Sequence, residues 1–214
     1  MLHYQDEDLS KLTSRYRANL INSCTGYKSL NLIASIAGPQ FTNLALFNSV
    51  VHIGSNPAML GFISRPLTVR RDTYNNIKKN RFFTVNQVNE AIYKDAHHTS
   101  AKYDALTSEF EKTGLTEEFL DNFKVPYVAE SSIKIGCEFV NEYTIEENGC
   151  LLIIGAIKHI YINEEIVSKD GWIQLDKANT ISSVGLDGYA LPKVIDRLAY
   201  AKPHEKTNSL WHES

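Results

Sequence analysis

The chain has 214 residues, 43% of them hydrophobic and 22% charged, which suits one sizeable core and excludes a disordered or fibrous chain. A net charge of −3 excludes a polyanion-binding surface spread over the whole molecule, so no nucleic-acid partner is expected and any anion site must be local. Three cysteines, Cys24, Cys137 and Cys150, are odd in number and lack C-x-x-C spacing, which excludes a disulfide framework and a cysteine zinc site and predicts buried free thiols in a reducing cytoplasm.

The N-terminus is acidic and polar, without the basic and apolar regions of a leader, and no apolar run is long enough to span a bilayer. No membrane is therefore expected, and a cytoplasmic setting is. Leu9, Leu12, Tyr16 and Leu20 recur at helical spacing and predict one amphipathic helix over 9–22, capped near Asp8 or Ser10 and ended at Gly26. Residues 30–36 read as a strand stopped by the turn pair Gly38-Pro39. Two further strands, 43–53 and 59–64, flank a Gly54-Ser55-Asn56-Pro57 turn, and their unbroken apolar character predicts burial on both faces. Pro66 ends the second. Asp72 or Thr73 then caps a short helix over 74–80, and 82–88 returns to strand.

The stretch 89–124 reads as helical and polar, including a helix capped by Thr116, with too few apolar residues for a core of its own; it is expected to cover the sheet as an insertion in a single 1–214 domain. Residues 133–145 and 150–162 form a hairpin signal around Glu146-Glu147-Asn148-Gly149. Residues 172–175 suggest an edge strand, and the tail from Asp187 reads as loop that could reach a second subunit. Antiparallel strands with a helix before them and helices in the middle predict a mainly β fold, a small closed barrel with helical decoration.

Arg65, Arg70 and Arg71 cluster just before the helix start at Asp72-Thr73. Unpaired N–H groups, the positive end of the helix dipole and guanidinium forks together suit a phosphate; the alternative is a solvated basic edge. Asn43, Asn48, Ser49 and Ser64 are small polar residues set in apolar strands, as a flat ring with one hydrogen-bonding edge requires, or as strand ends require. His52 reads as a core or interface residue.

The ordered motifs N-L-A-L-F-N-S-V-V-H-I-G-S-N-P, G-F-I-S-R-P, R-D-T-Y-N-N-I and F-F-T-V-N resemble the flavin reductase-like family of FMN-binding split barrels. A-H-H-T-S-A-K-Y and S-E-F-E-K-T-G-L extend the likeness to its flavoredoxin-type branch. The resemblance implies an FMN-binding split β-barrel and a homodimer with the cofactor near the subunit interface. It implies that Asn43, Phe47, Asn48 and Ser49 lie along the ring and ribityl chain and that Phe62, Ser64 and Arg65 flank it. Arg71 and Thr73 would meet the phosphate, with Arg70 an adjacent alternative. His98, Thr99 and Ser100 would contact nicotinamide or substrate, although His98 also suits a surface helix. Tyr103, Ser108, Glu109 and Phe110 read as fold and lid residues.

Catalytic residues in the usual sense are not expected, because hydride transfer from NADH or NADPH to FMN needs ring stacking rather than a protein acid or base. No metal motif and no catalytic triad stands in the chain. The leading expectation is an NAD(P)H-dependent flavin reductase. The alternatives are a non-enzymatic FMN carrier that exchanges electrons with a partner protein, and a flavoprotein acting on a small organic acceptor.

Overall fold

Where one N-terminal helix was expected, the computed structural model has two, α1 (Asp6–Lys11) and α2 (Ser14–Cys24). The Asp8 carboxylate accepts Gln5 N–H at 3.0 Å and starts α1 early. Arg17 then donates to the carbonyls of Leu9, Ser10 and Leu12, each at 3.3 Å, which satisfies the open end of α1 and breaks the run there. Gly26, at φ +76°, follows α2 as expected. The structure describes residues 1–38, 41–104 and 107–211.

Five strands follow: β1 (Lys28–Ser29), β2 (Asn31–Gly38), β3 (Phe41–Phe47), β4 (Val51–Ser55) and β5 (Ala58–Ser64). The turn expected at Gly38-Pro39 involves Pro39, outside the described residues. The strand expected over 43–53 is divided between β3 and β4, because the residues between them bond sideways. The Ser49 hydroxyl donates to Ile63 O at 3.2 Å and accepts Ile63 N–H at 3.1 Å.

The chain continues through α3 (Asp72–Asn80), β6 (Phe82–Gln87), α4 (Tyr93–His98), α5 (Glu109–Lys112), β7 (Glu117–Glu118) and β8 (Tyr127–Val128). The helix expected after Thr116 is absent: Glu117 and Glu118 pair with Val128 and Tyr127 instead, and Glu118 forms an ion pair with the nearly buried Lys134. The long hairpin β9 (Ile133–Ile145) and β10 (Cys150–Ile162) turns at the expected place, with Gly149 at φ +70° and Asn148 Oδ1 accepting Cys150 N–H at 2.9 Å.

A hairpin of β11 (Ser182–Val184) and β12 (Gly188–Ala190) follows; β11 pairs with β1, and β12 falls in the tail from Asp187 that was expected to be loop. The edge strand expected over 172–175 is reduced to one bridge between Val167 and Ile173.

Seven strands form one antiparallel sheet in the order β3-β2-β6-β9-β10-β5-β4. The Ser49–Ile63 bonds and an edge-to-face contact between Phe47 and Phe62, 5.1 Å between centroids, draw β3 onto β5. The sheet thereby rolls into the expected mainly β split barrel, with β4 as an outer flap.

Apolar residues pack on both sides of β2. Leu32 and Ala34 join Leu44, Phe110 and Leu115 beneath the cover, while Ile33 joins Phe62, Ile77, Phe83 and Ile153 inside the barrel. The burial on both faces expected of 43–53 and 59–64 holds over most of β5, from Leu60 to Ser64, but fails in β3, where only Leu44 is buried, and at β4, where Val51 and Ile53 are exposed. Gly155 is required by the barrel packing, since a Cβ there would stand 2.5 Å from Phe83 Cζ. Of the cysteines expected to be buried only Cys137 is; Cys24 at the end of α2 is exposed and Cys150 half-buried. No helix among the described residues is long and apolar enough to cross a membrane.

Candidate functional site

A cavity of about 440 Å³ opens between β3, β5, the start of α3, the cover and the C-terminal hairpin, within the usual size of a small-molecule site. Its walls include Asn43, Phe47, Asn48 and Ser49 from the β3 stretch, and Phe62, Ser64 and Arg65 from β5. Arg71 and Thr73 come from the α3 start, and Thr99 and Ser100 from the cover. The expected site residues are thus brought together, apart from His98. That residue is exposed, bonds Tyr103 OH through Nδ1 at 2.8 Å and is not part of the wall. Its neighbour His97 instead bonds Tyr189 of β12.

The start of α3 has an anion-binding character. Its first intrahelical bond runs from Asn75 N–H to Arg71 O at 3.0 Å, and Arg71, not Asp72 or Thr73, is the N-cap, with no side-chain cap. The N–H groups of the first turn therefore remain available. Asn43 Nδ2 donates to Thr73 Oγ1 at 3.0 Å, which leaves the threonine hydroxyl proton free to donate in turn.

The adjacent arginines are also distinguished. Arg70 is committed to Asp72 by a 2.6 Å ion pair, whereas Arg71 makes only a 3.4 Å contact to Pro66 O. Neither Arg71 nor Arg65 has a carboxylate partner among the described residues. Arg71, at the start of α3, and Arg65, at the end of β5, are the guanidiniums left for a ligand.

The remaining side chains divide between wall and scaffold. Phe62 is fully buried and packs edge-on between Phe47 and Phe83, so it forms the floor rather than a free contact. The Ser49 hydroxyl is spent on Ile63. Asn48 keeps its side-chain amide free of hydrogen bonds among the described residues. His52 is an exposed residue of β4 bonded to Ser55, not a core residue.

Glu109 is a wall residue that the sequence presented only as part of the cover. Its Oε2 accepts the N–H of Leu44 at 2.8 Å, clasping α5 to the edge of β3. Thr42 adds bonds to Ser108, at 2.7 Å, and to Glu117. Burial raises the Glu109 carboxyl above its ordinary range, the Leu44 N–H opposes this, and nearby Asp72 adds to it. A signal was present in the sequence: an acid at the first position of a short helix, beside a hydroxyl. It was legible as a fold and lid residue, not as a cavity wall.

Among the described residues no three His, Cys, Asp or Glu side chains gather as a metal site.

The profile of the flavin reductase like domain matches residues 29–176 of this chain. Among solved structures, a provisionally assigned flavin reductase with split barrel domain from Shewanella frigidimarina NCIMB 400 is 41% identical; the match covers 94% of this chain and 100% of that one, with a TM-score of 0.91. Nitrilotriacetate monooxygenase component B from Bacillus cereus shares the fold at 22% identity and a TM-score of 0.80, over 92% of this chain and 98% of that one. Flavoredoxin of Desulfovibrio vulgaris (Miyazaki F) shares it at 18% identity and a TM-score of 0.67, over 84% and 92%.

Proposed function

Because the chain belongs to the flavin reductase-like family, we propose that it binds FMN in this cavity and works as an NAD(P)H-dependent flavin reductase. One observation carries the reading: the uncapped start of α3, Thr73 and Arg71 form an anion site at one end of a slot floored by Phe47 and Phe62. That donor set suits a phosphate monoester attached to a flat ring. When bound, FMN would supply the chemistry, taking a hydride from the reduced nicotinamide and passing its electrons on.

The chain's own residues hold and orient. Arg71, Thr73 and the free N–H groups of α3 fix the phosphate, and Asn43 aims the Thr73 hydroxyl. Ser49 holds the backbone of 48–50 against β5, so that its polar groups face the ring edge in a fixed register. Arg65 and Ser64 border the slot from β5. Thr99 and Ser100 close it from above and keep water from the exposed ring face. No side chain need move a proton during the hydride step itself.

A second copy of the chain is part of the proposal. β4 is an unpaired edge with Val51 and Ile53 exposed, and it follows directly on Asn48 and Ser49 of the cavity. Sedimentation should give a dimer, and Ile53→Lys should shift it toward monomer.

Anaerobic mixing of the FMN-loaded protein with NADH or NADPH tests the reaction. Bleaching of the flavin band is expected. A protein that holds FMN yet bleaches with neither nucleotide is instead a carrier reduced by a partner protein.

A further inference from the structure

The charged end of the cavity holds one group of the wrong sign for an anion. The charged residues of the wall are Arg65, Arg70, Arg71, Asp72 and Glu109. Arg70 and Asp72 neutralise each other, and Arg65 and Arg71 are left for a ligand. Glu109 has no cationic partner among the described residues, so a phosphate held by Arg71 and Thr73 would share the cavity with an uncompensated carboxyl.

That carboxyl is pinned. Glu109 opens α5 between Ser108 and Phe110, both buried, and its Oε2 accepts the N–H of Leu44 at 2.8 Å. The residue before Leu44 on β3 is Asn43, whose amide donates to Thr73 Oγ1 at 3.0 Å. Two neighbouring residues of one strand therefore fix both the acid and a phosphate donor. A hydrated surface acid swings aside from an incoming anion at little cost. A pinned one must bear the repulsion or take a proton.

The charged groups on the surrounding elements are few. The start of α3 supplies Asp72, Arg70 and Arg71, and the end of β5 supplies Arg65. α4 supplies Asp95, bonded to Gly114 N–H at 3.2 Å, and β7 supplies Glu117, bonded to Thr42. Glu111 and Lys112 on α5 itself are exposed. Burial favours the neutral form of Glu109, and the charge of Asp72 acts in the same direction. A phosphate monoester, with about two negative charges near pH 7, would add to both. Protonation leaves Glu109 an oxygen to accept the Leu44 N–H, so the clasp of α5 to β3 survives it.

We propose that Glu109 makes phosphate binding in this cavity take up a proton, and so sets how strongly the protein prefers FMN to unphosphorylated riboflavin as pH changes. The protonated form binds the phosphate more tightly. Its benefit is full below the titration of Glu109 in the free protein and is lost as pH rises through the value in the complex. The linkage is reciprocal: the factor by which the proton favours phosphate is the factor by which phosphate favours the proton. The inference rests on the FMN reading for the identity of the anion.

Calorimetric titration of the flavin-free protein with FMN, in two buffers of different ionisation enthalpy, counts the protons taken up at steps from pH 4.5 to 8. Glu109→Gln is run beside the wild type. It keeps an oxygen for Leu44 and meets the same FMN, so the difference between the two removes the ligand's own ionisation at about pH 6. At its peak the wild type is expected to take up about a quarter of a proton more than the variant. The variant should bind FMN about threefold tighter on the alkaline side and equally well on the acid side. Riboflavin affinity, followed by fluorescence, should show neither difference. Glu117→Gln, which changes an acid outside the cavity wall, should behave as wild type.

If wild type and Glu109→Gln take up equal numbers of protons with FMN at every pH, or riboflavin shows the same difference as FMN, or Glu117→Gln loses the uptake as fully, the linkage is overturned and the FMN reading survives. A protein that takes up no FMN overturns both.

Discussion

Two parts of the cavity wall are built in different ways. The charged end comes almost entirely from one continuous run, residues 43–73, in which β3 delivers Asn43 and the next helix delivers Arg71 and Thr73 to meet it. A second part of the wall is assembled from Asn22 of α2, Thr99 and Ser100 of the cover and Ser183, Leu186 and Tyr189 near the C-terminus, joined by contacts such as His97 to Tyr189 across 92 positions. The first is a local device with its chemistry written in neighbouring letters. The second exists only once the chain has folded. The contrast also implies a division of labour: changes at the charged end should alter phosphate holding, while changes in the hairpin wall should leave it nearly untouched.

The largest expected effect falls on the charged end. Arg71→Ala with Thr73→Ala removes one charge-assisted and one neutral donor, so FMN affinity should fall by about 100-fold or more, read by flavin fluorescence titration. Arg70→Ala is the matched control. Its guanidinium is already paired with Asp72, and the change should cost about threefold or less. Equal losses from both would show that the start of α3 does not discriminate its arginines, and the anion site would need to be redrawn.

This difference between adjacent arginines also marks how far the sequence could be read. Two arginines before a helix start were legible as an anion site. Which of them was free was not, because that depends on the rotamer taken by Asp72. The β9–β10 hairpin was legible from its long apolar strands and Glu-Asn-Gly turn. The hairpin of β11 and β12 was not, since Ser-Ser-Val and Gly-Tyr-Ala are too short to show a period and are held by pairing with β1 across more than 150 positions. Glu117-Glu118 misled for a related reason. Glutamates favour helix locally, but pairing with Tyr127–Val128 and the ion pair to Lys134 override that preference. Asn48 to Val50 broke the expected strand because one serine found a better partner across the barrel than along the chain.

A smaller change sharpens the same comparison. Asn43→Ala leaves every cation in place and removes only the amide that orients Thr73 Oγ1. FMN affinity should fall about fivefold, the worth of one neutral hydrogen bond. Tyr189→Phe is its counterpart in the hairpin wall. Losing the bond to His97 should loosen β11 and β12, seen as faster amide exchange there, while FMN affinity changes by about twofold or less.

The subtlest prediction concerns Glu109, the one carboxylate that clasps the cover while facing the charged end. Its folded-state pKa is raised, chiefly by burial, so its contribution to stability is fully present below the unfolded carboxyl pKa and is lost as pH rises through the raised folded value. Once the pH has passed that raised value the wild-type protein carries an ionised, poorly hydrated carboxylate. Glu109→Gln removes that charge and keeps an oxygen to accept the Leu44 N–H. The variant should melt higher than wild type on the alkaline side of that titration, and the gap should close as pH falls below the ordinary glutamate pKa of about 4.3, where Glu109 is protonated in both states. FMN affinity should rise slightly on that alkaline side for the same reason, since a negative charge beside the phosphate is gone. A variant that melts lower there would mean that the carboxylate's stronger hydrogen bond to Leu44 outweighs its burial, and that the cover is held to β3 by charge after all.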